Sequence, residues 1–165
     1  MPDIEEAKKS AIVSYIEQLE HEFSLSRENL ISLLQARSVS YVPLDIFATR
    51  YLSCLQSLVV YLKENRGYSF SKTARLLGRD NRTIWTSYQQ AKKKWKKPLA
   101  IQQKPAEYIP LSIFSDRRFS MLEHVVLFLK KKDYPSKDIA KLLLRKQTTI
   151  STVLGRAAKK GETRG

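Results

Sequence analysis

The sequence predicts an all-α protein in which an N-terminal helical segment precedes two tandem modules of three to four helices each. Three observations predict it. The chain repeats itself about 66 residues apart: Val42-Pro-Leu-Asp-Ile-Phe47 returns as Ile109-Pro-Leu-Ser-Ile-Phe114, and Gly67-Tyr68, Ala74, Leu76-Leu77 and Thr83-Ile84 return as Asp133-Tyr134, Ala140, Leu142-Leu143 and Thr149-Ile150. Within each copy, apolar residues recur at spacings of three and four, the period of an amphipathic helix. Finally, 165 residues with 42% hydrophobic content allow one domain or two small ones around a core, which excludes a disordered chain.

The offset between copies is 67 at their start and 66 further in, so one residue is gained or lost near Gly67 and Asp133. Loops absorb such a change cheaply, whereas a slip inside a helix would rotate its buried face. Two copies are too few for a solenoid. The boundaries that follow are an acidic helical segment over 1–40, a first module over 41–97, a linker over 98–108, a second module over 109–160 and a disordered tail over 161–165.

In the N-terminal segment, Ile4, Ala11, Ile12, Tyr15, Ile16, Leu19 and Phe23 form an apolar stripe, followed by a shorter one around Leu30, Ile31, Leu33 and Leu34. These helices either cover the first module or dimerise; the stripe spans too few heptads to establish a coiled coil.

The first module opens with a helix from Leu52 to Lys63, where Leu52, Leu55, Leu58, Val59 and Leu62 share one stripe. It stops near Gly67, which can take the left-handed conformation that closes a helix, and Ser69 is placed to cap the next. That second helix is short, Phe70 to Leu77, and Gly78 ends it. Asp80 stands at the cap of a third helix through residues 81–95. Two helices crossing at a tight turn need a small contact residue, a turn residue free of Cβ strain and an apolar anchor, and Ala74, Gly78 and Ile84 supply them. This is the spacing of a helix-turn-helix, whose second helix enters a DNA major groove.

The run Tyr68-Ser-Phe-Ser-Lys-Thr-Ala-Arg-Leu-Leu-Gly-Arg-Asp-Asn-Arg-Thr-Ile-Trp85, followed by Ala91-Lys-Lys-Lys94, resembles the DNA-binding helix-turn-helix of bacterial sigma-factor region 4. The likeness covers roughly residues 50–95, with a weaker echo over 117–160. It implies a three- or four-helix unit that reads promoter DNA, and with it a transcriptional role. Nothing in the chain resembles the sigma-factor regions that melt promoter DNA or grip polymerase. RNA polymerase stands beside a homodimer as the partner open to the N-terminal helices.

The second module departs from the pattern, because Leu144 occupies the position of Gly78 and Lys146 that of Asp80. Its turn is expected to be looser or different. Pro135 suits the start of its short helix, and Ala140, Leu143, Ile150, Leu154 and Ala157 can form the corresponding buried face. A degenerate copy of this kind either binds DNA less specifically, holds the phosphate backbone, or packs against the first. Between the modules, residues 98–108 carry too few apolar anchors and too many prolines for a buried helix.

Charge points to the partner. Residues 1–50 hold eight acidic and five basic side chains, net −3, while the remaining 115 carry +17, which gives the chain its net +14. Such a surplus attracts a phosphate backbone through counterion release, giving affinity but not sequence choice. With Ile84, Tyr88 and Ala91 inward, the residues Asn81, Arg82, Trp85, Thr86 and Gln89 face outward as base-reading candidates, and Gln147, Thr148, Ser151 and Thr152 match them in the second copy. Arg suits guanine, Asn and Gln suit adenine, and Thr suits the thymine methyl. Arg79, Lys92, Lys93, Lys94, Lys96, Lys97, Arg145, Lys146, Arg156, Lys159 and Lys160 are the phosphate-contact candidates. Trp85 has two roles open, DNA contact or packing, and packing is favoured; Trp95 is assigned to packing.

Other classes of function find no residues to carry them. The single cysteine, Cys54, rules out an intrachain disulfide and reads as a small buried hydrophobe, and His21 and His124 add too little for a zinc cluster. Both histidines are expected at surface or cap positions. No nucleophile with a partner base, acidic cluster or Gly-rich phosphate loop is present, so no enzymatic activity, metal, cofactor or small-molecule ligand is expected. The N-terminus lacks a signal-peptide pattern and no stretch is long enough to span a membrane. A cytoplasmic location follows, with nucleoid association in a prokaryote. The expected function is sequence-specific binding of double-stranded DNA by helix 81–95 and a related helix 147–160 to regulate transcription. The alternatives are a DNA-binding accessory of a mobile element or recombination system, and an RNA-binding or protein-interaction module.

Overall fold

Serine caps and left-handed turns set helix boundaries, and the caps at Ser53 and Ser120 and the turns at Gly67/Asp133 and Gly78/Leu144 recur at matching positions of the two copies. The computed structural model describes residues 4–23, 26, 28 and 40–162, which divide into two units, one up to Val39 and one from Ser40. The first unit contributes a single described helix, α1 (Ile4–Phe23). Its side chains Ile12 and Tyr15 are 59% and 63% exposed. The second apolar stripe, around Leu30–Leu34, lies outside the described residues.

The second unit is mostly helical. Its elements run β1 (Tyr41–Pro43), a 3-10 helix (Leu44–Phe47), α2 (Cys54–Glu64), α3 (Phe70–Leu77) and α4 (Asn81–Lys94). The same order then repeats as β2 (Tyr108–Pro110), a 3-10 helix (Leu111–Ser115), α5 (Met121–Lys131), α6 (Ser136–Leu142) and α7 (Gln147–Glu162). The last helix runs through Glu162, so residues 161 and 162 belong to it and not to a tail.

Capping accounts for the starts of α2 and α5. Ser53 accepts from the Gln56 backbone N–H while the Gln56 side chain accepts from that of Ser53. Ser120 and Glu123 make the same reciprocal pair. Each box satisfies two amides that the helix start leaves open. Ser69 caps α3 through the Lys72 amide. Asp80 holds the cap position of α4 in extended conformation, but its side chain makes no capping hydrogen bond.

The two inter-helix turns have one geometry. Gly78 ends α3 at φ 58°, and the Arg79 N–H donates to the Ala74 carbonyl at 2.9 Å. Leu144 takes φ 51°, and the Arg145 N–H donates to the Ala140 carbonyl at 2.8 Å. The expectation of a looser second turn is therefore corrected: leucine adopts the left-handed turn that glycine takes in the first copy. Glycine is favoured at 78 for a second reason, since a Cβ there would stand 3.1 Å from the Ser115 backbone carbonyl oxygen, a tight contact. Gly78→Ala should therefore destabilise the protein by about 1–2 kcal/mol, combining left-handed strain with that tight contact. Urea midpoints measure it, and an unchanged midpoint would contradict the account.

The strand register shows how the copies are related. β1 and β2 pair antiparallel, with Val42 opposite Ile109, Tyr41 opposite Pro110 and Pro43 opposite Tyr108. Val42 thus faces its own repeat counterpart, and the outer pairs interchange when the copies are swapped. That is the register of a two-fold axis. The Leu44 N–H donates to the Glu107 carbonyl, and its equivalent, the Leu111 N–H, donates to the Ser40 carbonyl. Phe47 and Phe114, also counterparts, meet at a tilt of 46° with ring centroids 5.9 Å apart. The copies are tandem in sequence but inverted in space.

One core serves both. Leu44, Phe47, Leu58, Leu62, Leu77 and Ile84 of the first copy share a buried cluster with Leu111, Phe114, Val125, Leu129, Ile139 and Ile150 of the second. The segment read as a linker joins in: Tyr108 is strand, Leu99 packs on the core, and the Gln102 N–H donates to Asp45. Its prolines excluded helix correctly but did not exclude a short strand, which needs few donors at its edge.

Candidate nucleic-acid interface

The outer face of α4 is bare and its inner face is anchored. Ile84 and Ala91 are fully buried, Ser87 joins them, and Tyr88 is half-buried with its hydroxyl donating to Glu64 at 2.9 Å. Burial, and then this bond to a carboxylate, raise the Tyr88 pKa. On the opposite side Asn81, Arg82, Trp85 and Gln89 are exposed, and Thr86 is half-buried. Trp85 is 51% exposed, which corrects the preference for packing: the helix phase that buries Ile84 turns the neighbouring position outward. Trp95 does pack, on Tyr51 with ring centroids 5.5 Å apart.

In α7, Ile150, Val153 and Ala157 are buried and Gln147, Thr148, Ser151 and Thr152 are exposed. The Ser151 and Thr152 hydroxyls donate to the carbonyls four residues back, of Gln147 and Thr148. Exposed on α7 are one amide and three hydroxyls, against a guanidinium, an indole and two amides on α4. Two of the three hydroxyls are spent within their own helix, so α7 offers fewer outward hydrogen-bond donors than α4.

The phosphate-contact candidates divide into three groups. Lys93, Lys94, Lys96, Lys97, Lys146, Arg156 and Lys159 are exposed. Lys92 and Lys160 are corrected, because each is held by a carboxylate of its own fold. Lys92 pairs with Glu64 at 2.8 Å, and Lys160 pairs with Glu123 at 2.7 Å. Glu123 is 3% exposed; burial pushes its carboxyl up, but the Lys160 and Ser120 hydrogen bonds outweigh that and hold it below its ordinary value. The third group is Arg79 and Arg145, both half-buried in the wall of a cavity between the copies.

That cavity, of about 760 Å³, is bounded by the starts of α2 and α5 and by the two inter-helix turns. Arg50 and Arg117, exposed counterparts at the 67-residue offset, stand at it as well. Neither entered the sequence-derived site. The signal was present, since both pairs of arginines survive in the two copies, but only the inverted packing brings them together. Arg118 also borders the cavity, tied to Asp116, whose carboxyl it holds far below the usual range.

Cys54, at the cavity's floor, is 6% exposed, and burial pushes its thiol up to about 11 against the lowering effect of Arg145. A thiol so shifted is a packing group at neutral pH. His124 is buried, not at the surface: its Nε2 donates to the Asp116 carbonyl at 2.8 Å, and Phe114 and Phe119 meet it edge-on. Its place on the core face of α5, within one turn of Val125 and Met121, decides this. Among the described residues, no helix is long and apolar enough to cross a membrane. Comparison with known proteins returns no match to a family model, a curated protein or a solved structure.

Proposed function

We propose that the chain binds double-stranded DNA through the outer face of α4, with α7 as a weaker second reader, and regulates transcription thereby. The observation that carries the proposal is an exposed row of Asn81, Arg82, Trp85 and Gln89 on a helix whose other face is locked to the core by Ile84 and Ala91. A rigid helix presenting such groups, flanked by exposed lysines, has the shape and charge for a major groove. The resemblance to sigma-factor region 4 supports the same reading.

Inverted copies favour inverted half-sites. A duplex has two-fold axes perpendicular to its length, so a chain with an internal two-fold relation meets it as a dimeric repressor does, with half-sites about 34 Å apart or a multiple of that. Because α4 and α7 carry different outer residues, the two halves of the site should differ in sequence. Selection of bound sequences from random duplex DNA tests this. An inverted, imperfect repeat is expected; recovery of unrelated sequences would overturn the specific reading, and preferential capture of duplex RNA in competition would overturn the DNA reading.

Arg82→Ala should weaken the selected sequence by about 1–3 kcal/mol and leave random DNA nearly unaffected. Lys93→Ala should weaken all duplexes alike and reduce the salt slope by about one. Titrations at several salt concentrations separate the two, and equal losses on both kinds of DNA for both variants would refute the division of labour.

A further inference from the structure

We propose that the cavity between the copies binds a small organic anion carrying two phosphates, of the dinucleotide class. Four arginines carry the proposal. Arg50 and Arg117 are one pair of repeat counterparts and Arg79 and Arg145 another, and all four stand at a single cavity of about 760 Å³. Among the described residues no acidic side chain lines it. Arg118 and Lys160, which also border it, are engaged with Asp116 and Glu123, whereas among the described residues no carboxylate forms an ion pair with any of the four named arginines. Gathering uncompensated guanidinium groups around one space costs free energy unless an anion neutralises them.

Their hydrogen bonding is incomplete in the same place. The Nε atoms of Arg79 and Arg145 are buried with no hydrogen-bond partner. Arg145 spends a terminal nitrogen on the Leu52 carbonyl, and Arg50 spends its Nε on that of Leu144. Each retains further donors in the planar fork that suits a phosphate bidentately.

The floor defines the rest of the ligand. Leu52, Cys54 and Met121 are buried there, with Leu55 and Leu122 beside them. An apolar base with cationic walls fits planar heterocycles linked by phosphates better than a bare inorganic ion, and the volume lies within the roughly 300–1,000 Å³ of small-molecule sites. Two pairs of arginines related by the internal two-fold match a ligand with two equivalent phosphates. The charged backbone of a duplex offers phosphates to the arginines but no apolar group to set against Leu52, Cys54 and Met121. This inference does not rest on the DNA reading, because the cavity is built from other residues than the outer faces of α4 and α7.

The test is calorimetric titration of the full chain, without DNA, against cyclic di-AMP, AMP and inorganic pyrophosphate at physiological ionic strength. Cyclic di-AMP is expected to bind at one per chain and more tightly than the other two. Arg79→Gln and Arg117→Ala should each weaken it by about tenfold or more, the loss of one charge-assisted contact. Lys137→Ala, which removes an exposed charge away from the cavity, should not change it. Arg117 is exposed, so its variant tests the site even if Arg79→Gln impairs folding. Absence of binding by all three probes overturns the proposal, as does AMP or pyrophosphate binding as tightly as cyclic di-AMP. An equal loss in Lys137→Ala also overturns it. Duplex binding that disappears in the two arginine variants while no small probe competes would assign the four arginines to the DNA surface instead.

Discussion

Phe114→Ala is expected to destabilise both copies together, by about 3–5 kcal/mol, the usual cost of emptying a fully buried phenylalanine site. Phe114 has no exposed surface, and its ring meets Phe47 of the first copy and His124 of its own. It lies beside the internal two-fold, so the cavity opens where neither copy can close it alone. A loss of that size is a large part of the total stability of an ordinary domain, about 5–15 kcal/mol. Both tryptophans, Trp85 and Trp95, belong to the first copy. Their fluorescence therefore reports on the copy that does not contain the substitution. In urea, the tryptophan-detected midpoint should fall in step with the far-ultraviolet dichroism midpoint. A tryptophan transition that stays at its wild-type position while the helical signal splits would show two independent modules and refute the shared core.

Lys160→Ala should cost about 1–3 kcal/mol at pH 7, and the deficit should shrink in acid. The substitution leaves the Glu123 carboxylate buried with the Ser120 amide still donating to it, while the wild-type lysine, partly exposed, satisfies both carboxylate oxygens. In the wild type the folded-state pKa of Glu123 lies below its unfolded value. Its contribution is therefore complete above the unfolded value, about 4.3, and is lost as pH falls through the lowered folded value. Without Lys160, the burial that raises the pKa loses its main counterweight, so protonation relieves the variant where it weakens the wild type. Urea midpoints at pH 7 and pH 3 measure both effects. A deficit that is constant over that range would show that the pair does not set the acid response.

Helix positions were legible in the chain because their determinants are local. Gly67, Ser69 and Gly78 each act within a few residues, and they delimit α3 at Phe70 and Leu77, as the spacing predicts. The inward set Ile84 and Ala91 followed from the helical period and the outward set from its complement. Some local signals were still missed. Ser53 with Gln56 and Ser120 with Glu123 are capping boxes written plainly in the sequence, and the first places the start of α2 at Cys54, two residues later than the apolar stripe suggests. Leu144 misled for a different reason: propensity disfavours leucine at positive φ, but the packing of the second copy imposes the turn at a cost of about 1–2 kcal/mol.

The candidate site was legible on α4 and misleading elsewhere. Lys92 and Lys160 look like free cations in the sequence, and nothing in their local context announces Glu64 or Glu123, 28 and 37 residues away. Trp85 was ambiguous because periodicity gives a direction but not whether a neighbour covers it. Arg50, Arg79, Arg117 and Arg145 are scattered over 95 positions, and sequence distance hid that they surround one cavity.

By itself the sequence determined the helical class, the duplication, the basic surplus and the residues on each face of α4, since all of these depend on composition or on interactions within a turn or two of chain. The tertiary structure alone decided that the copies are inverted about a shared core, that a strand pair and two phenylalanines meet across their axis, and which cations are spent internally. Those outcomes depend on how the copies' apolar faces find one another across long stretches of chain, and hydrophobic burial, being non-directional, leaves no local mark of the partner it selects.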